Sequence, residues 1–67
     1  MYKVIYSTEV HPEHWETYHE TSSLDAAISS YNACIHELRL IEDTLRVRLV
    51  TPKDETYRSY RSENEQD

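Results

Sequence analysis

Glycine is absent from this chain. Any backbone position that needs a positive φ must therefore use Asn or Asp, or be avoided. Gly-rich phosphate loops, dinucleotide-binding fingerprints and nucleophile elbows are excluded, because each relies on glycine for close backbone approach. Cysteine occurs once, at Cys34. That rules out a disulfide within the chain and suits a reducing compartment, so a cytoplasmic location is expected. No apolar run approaches the roughly 18 residues of a membrane span. Met1–Val10 carries Lys3 and Glu9 and lacks the apolar centre of a secretory leader. Phenylalanine is also missing, and the aromatic content is six tyrosines and one tryptophan. Tyrosine and tryptophan are the aromatic types that dominate binding hot spots.

With 67 residues the chain holds one domain. A domain of this size buries only about 60% of the surface of its unfolded chain. A second subunit or a metal is then the remaining means of extra support. The net charge is −6 and is unevenly spread. Residues 1–45 hold two basic and eight acidic side chains. Residues 46–61 hold five basic and two acidic ones, and residues 62–67 add three more acids. An acidic body repels nucleic acid and favours partners with a basic surface, so direct nucleic-acid binding is not expected. Plain solubility is the simpler reading of the same charge.

Residues 2–10 read as a strand, rich in β-branched and aromatic types. Tyr2, Val4, Tyr6, Thr8 and Val10 share the face better suited to the core. His11-Pro12-Glu13-His14 reads as a turn. Trp15–Glu20 then alternates as a second strand, with Trp15, Thr17 and His19 on one side and Glu16, Tyr18 and Glu20 on the other. Ser22-Ser23-Leu24-Asp25 matches a capping box with Ser22 as N-cap and Asp25 three residues on. Leu24, Ala27, Ile28, Tyr31, Cys34, Ile35 and Leu38 then recur at helical spacing, predicting a helix over about 23–38. Thr44–Thr51 alternates as a third strand that Pro52 ends, with Leu45, Val47 and Leu49 on its apolar side. Residues 53–67 read as a polar, flexible tail containing a Tyr-Arg-Ser repeat, and residues 1–52 as the domain. The expected fold class is α+β. It is a small ββαβ two-layer unit, a three-stranded sheet with one helix packed on one face and a flexible C-terminal tail.

Several groups carry candidate chemistry. His11, His14 and His19 lie close to Glu13, Glu16 and Glu20, and imidazole with carboxylate binds zinc. Their spacing matches common zinc sites weakly, and surface histidines around a turn are the simpler reading. Cys34 falls on the apolar helix stripe, which makes it a core residue rather than a nucleophile. His36, two residues on, lies roughly opposite it. No catalytic residue, metal or cofactor is therefore assigned. Glu9, Glu13, Glu16 and Glu20 bracket the first turn. Residues two apart on a strand are roughly 7 Å apart, similar to the phosphate repeat of an extended single strand, about twice its 3.4 Å rise. Carboxylates so placed can mimic nucleic acid in a basic groove. The simpler reading is an acidic edge that deters aggregation. The Tyr-Arg-Ser repeat offers stacking and cation groups that can hold a base or phosphate, although a packed or floppy tail accounts for it as well.

The sheet face away from the helix is expected to carry Ile5, Tyr18, Arg46, Arg48 and Val50, with no second layer to cover it. Such a face is a candidate interface. The chain is similar in size, acidity and cysteine poverty to small virus-encoded inhibitors. The expected function is that of a non-enzymatic protein-binding module, an acidic inhibitor or regulator of a larger nucleic-acid-processing or defence complex. Glu13, Glu16, Tyr18, Glu20, Arg46 and Arg48 are its expected partner-binding residues. The alternative is a homo-oligomeric assembly subunit, such as a homodimer. A metal-binding protein using His11, His14 and His19 is a third reading.

Overall fold

The computed structural model describes residues 1–8, 13–40 and 45–61. The chain runs β1 (Tyr2–Thr8), β2 (Glu16–Thr21), α1 (Leu24–Leu38), β3 (Leu45–Val50) and β4 (Thr56–Arg61). The α+β class holds, but the sheet has four strands where three were expected. Its order is β2-β1-β3-β4, and every neighbouring pair is antiparallel. The fourth strand is the Tyr-Arg-Ser segment that the sequence assigned to the tail. His11, Pro12 and residues 41–44 lie outside the described residues, as does the expected flexible end from residue 62 onward.

The connection into β4 explains the extra strand. Pro52, with its φ already restricted, occupies the second position of a turn closed by Asp54 N–H donating to Thr51 C=O at 2.9 Å. Thr51 Oγ1 accepts from the backbone N–H groups of Lys53 and Glu55, and Thr51 N–H donates to Glu55 C=O at 2.8 Å. The turn needs one left-handed residue. In a chain without glycine Asp54 takes it, with φ 64°. Pro52 ends β3, and the turn it opens sends the chain back as β4.

The helix stripe is borne out. Ala27, Tyr31 and Cys34 are buried, and Leu24, Ile28, Ile35 and Leu38 are half-buried beside them. The N-cap is one residue later than expected. It is Ser23, whose Oγ accepts from Ala26 N–H at 3.3 Å. Ser23 holds the extended φ/ψ (−99°, 126°) that a cap requires. The helix therefore starts at Leu24, and Asp25 falls one position too early to close the box. Asp25 still lies in the first turn, where a carboxylate complements the helix dipole. The end at Leu38 leaves Leu40 exposed.

Val4, Leu45, Val47 and Leu49 are fully buried and form the core with Ala27, Tyr31 and Cys34. Register explains the selection. Val4 pairs with Leu49, Tyr6 with Val47 and Thr8 with Leu45, so the expected apolar faces of β1 and β3 coincide beneath the helix. Tyr2, Tyr6, Tyr18 and Tyr60 pack around the rim. No helix of the described residues is long and apolar enough to cross a membrane.

Candidate interaction surface

Opposite the helix, the sheet presents a face that no described element covers. Register defines its members. Ile5 pairs with Thr17 on one side and Arg48 on the other, and Arg48 in turn pairs with Ser59. Ser7 pairs with Arg46, and Arg46 with Arg61. Lys3 pairs with Glu20 and with Val50. The placement of Ile5, Arg46, Arg48 and Val50 on this face agrees with expectation.

Tyr18 does not belong to it. Between Val4 and Ile5 the register of β2 shifts, so that three residues (Thr17, Tyr18 and His19) oppose two on β1. Such a bulge breaks strict alternation. Tyr18 turns toward the helix, where its hydroxyl donates to Glu37 Oε1 at 2.8 Å. Its ring meets Tyr6 edge to face, with centroids 6.5 Å apart. The carboxylate of Glu37 holds the Tyr18 hydroxyl above its usual pKa, chiefly through this bond.

The same bulge separates Glu16 from Glu20, which simple alternation places on one side. Glu16 now sits across from Tyr6 and Glu20 across from Lys3, and Tyr6 and Lys3 lie on opposite faces. An evenly spaced row of carboxylates along one face of β2 is therefore not formed. Glu16 is instead bound to His14, Nε2 to Oε2 at 2.5 Å, and both are exposed. Glu13 is exposed just before β2. His19 stands across from Val4, and His11 lies outside the described residues. Among the described residues no three of His, Cys, Asp and Glu gather to hold a metal. Cys34 is fully buried, and burial pushes its thiol up to about 11, the reverse of what a nucleophile needs.

Two features of the uncovered face stand beyond simple alternation. The Arg48 guanidinium carbon lies 4.6 Å from the centroid of the Trp15 ring. Trp15 precedes β2 and Arg48 is in β3, so this cation–π pair reaches across β1. Ser7, in β1, is only 1% exposed. Farther along, Arg46, Arg48, Ser59, Tyr60 and Arg61 line a groove of about 200 Å³. No protein-family model, curated protein or solved structure matches the chain. The surface is therefore interpreted from its own chemistry.

That chemistry reverses the charge of the whole. The face carries Lys3, Arg46, Arg48 and Arg61 against Glu20, within a chain of net charge −6. Neither Arg46 nor Arg48 is ion-paired with a described carboxylate. Sequence reasoning found Arg46 and Arg48 but missed Trp15, Ser59 and Arg61. The Pro-Lys-Asp turn followed by Thr56-Tyr57 was the available signal for β4. The Trp15–Arg48 contact depends on a bulge that no sequence period reveals.

Proposed function

We propose that this chain is a non-enzymatic binding module that docks on a larger macromolecular complex through the uncovered face of its sheet, and so inhibits or regulates that complex. The observation that carries this reading is the Trp15–Arg48 pair on an open face beside a groove lined by arginines. Tryptophan and arginine are enriched where binding energy concentrates, and tryptophan buries much area with few rotors to freeze. Cys34, the one thiol, is sealed in the core, which favours binding over covalent chemistry at that residue.

The six residues expected to meet a partner divide into three groups under this reading. Arg46, Arg48 and Glu20 belong to the docking face. Glu13 and Glu16 lie off it, Glu16 on the helix side of β2, and act on a basic partner only at longer range, while Tyr18 serves the fold. A homodimer through the same face has weaker support. The face carries four basic side chains against Glu20, so a second copy of it offers little of the opposite charge.

The test is capture from a cell lysate at low and high salt, using the wild-type chain and the double variant W15A/R48E. One stoichiometric partner retained by the wild type and lost by the variant supports the proposal. Equal retention by both removes the face from the account. Recovery of the chain's own copy alone moves self-assembly ahead of it.

A further inference from the structure

The Tyr-Arg-Ser repeat forms an edge of the sheet that docking through the open face leaves unused. β4 is outermost beside β3, and its outer side meets no other strand among the described residues. The helix packs on β1, β2 and β3, so β4 stands out beyond it. Five of the six β4 residues are exposed, and only Tyr60 is half-buried. Edge strands are ordinarily guarded by proline, lysine, a bulge or a covering element. β2, the opposite edge, has a bulge in mid-strand, two glutamates and the helix above it. β4 has no proline, lysine or acid, and its register shift falls at its start, which leaves Arg58–Arg61 regular.

We propose that β4 pairs antiparallel with β4 of a second copy of this chain, about a two-fold axis centred on Ser59. Residues directly opposite on antiparallel strands point to the same face, so a two-fold pairing must set one residue against its own copy. With Ser59 on the axis, Arg58 of each strand falls opposite Tyr60 of the other. The segment Arg-Ser-Tyr is then its own complement when reversed. Centring on Arg58 instead sets two guanidinium groups directly opposite, and like charges so placed oppose pairing. Centring on Tyr60 leaves Tyr57 and Arg58 without a partner inside β4. Arg58 keeps the ring of its own Tyr57, 5.8 Å from the guanidinium carbon, and gains a second aromatic ring from the copy. The axis is normal to the sheet. Both helices therefore lie on one side of the joined sheets and both uncovered faces on the other. The pairing is independent of what docks on those faces. Each copy carries a net charge of −6, but physiological salt limits the repulsion to about 8 Å. A few residues meet on each side, against about 20–30 in a standard interface, so the dimer is weak and forms at high concentration.

The experiment is disulfide trapping of Ser59→Cys in the full chain under a mild oxidant, beside Arg58→Cys and Thr17→Cys. All three positions are exposed and Cys34 is sealed in the core, so the introduced thiols are the ones that react. Directly opposite residues have Cα atoms about 4.5–5.5 Å apart, within the span of a disulfide. The two Arg58 positions stand diagonally, about 7–8 Å apart, at or beyond its limit. Thr17 lies on the far edge. Ser59→Cys should therefore link into dimers at least about tenfold faster than either control, since it alone meets disulfide geometry. Sedimentation of the wild-type chain should show a monomer–dimer equilibrium at or below about 1 mM. Ser59→Lys, which sets two ammonium groups opposite each other, should abolish it. W15A/R48E should leave the equilibrium unchanged, so failure of this pairing and failure of docking through the open face are read separately. Equal linking of the three cysteine variants, linking led by Arg58→Cys or Thr17→Cys, or a strict monomer at about 1 mM overturns the proposal.

Discussion

Leu49→Ala is the sharpest perturbation of the fold. Leu49 is fully buried in β3, with Val4 opposite it on β1 and Arg58 opposite it on β4. Strands flank it on both sides and the helix stripe covers it, so the surroundings have little freedom to close over a vacated volume. Buried leucine-to-alanine changes cost about 2–5 kcal/mol, more where the site cannot collapse. A 67-residue domain has roughly 3–10 kcal/mol in total at typical stability per residue. Its unfolding entropy near 60 °C is about 0.14 kcal/mol/K, so each kcal/mol moves the Tm by about 7 °C. A loss of about 3 kcal/mol therefore lowers the Tm by about 20 °C. Thermal unfolding followed by circular dichroism measures this, with Leu40→Ala, at a position 77% exposed, as the control expected to change little. A drop of less than about 7 °C for Leu49→Ala refutes the packing described here.

Three further outcomes are expected. Ser23→Ala should cost about 1 kcal/mol by removing the helix cap, whereas Ser22→Ala should be close to neutral, and chemical denaturation separates the two. Cys34 should resist thiol reagents in the native chain at pH 8 and react at once in denaturant. Because burial raises its folded pKa to about 11, above the ordinary thiol value of 9.0, its contribution to stability is complete below about pH 9 and is lost as pH rises through 11, which alkaline unfolding detects. Glu37→Gln should lower the Tyr18 hydroxyl pKa toward its ordinary value, a change read from the tyrosine ring carbon resonance during pH titration.

The parts of the fold legible in the sequence were those fixed by a repeating period. Leu24 to Leu38 recur at helical spacing, and Leu45, Val47 and Leu49 alternate, so the helix and the core face of β3 could be read directly. The departures arose where geometry breaks a period. At Tyr18 a bulge adds one residue to β2. It sends Tyr18 to the helix side and parts Glu16 from Glu20. At Tyr57 a second register shift lies where β4 begins, between the Leu49–Arg58 and Val50–Thr56 pairs. That strand is mostly exposed and shows no apolar alternation, so its sequence resembles a tail. The arginine-lined groove inherits this difficulty, since half of it belongs to β4. Composition also concealed the site, because a net charge of −6 gives no sign that four of the seven basic side chains share one face.

Trp15 is the only tryptophan and stands on the proposed docking face, which makes it a built-in reporter. Incorporating 5-fluorotryptophan gives one fluorine resonance for the whole chain. Titrating the labelled protein with the captured partner tests the central claim most directly. Docking through this face shifts or broadens this resonance to saturation at the stoichiometry of binding, and Arg48→Glu weakens the complex. A saturated complex in which the Trp15 resonance is unmoved contradicts it.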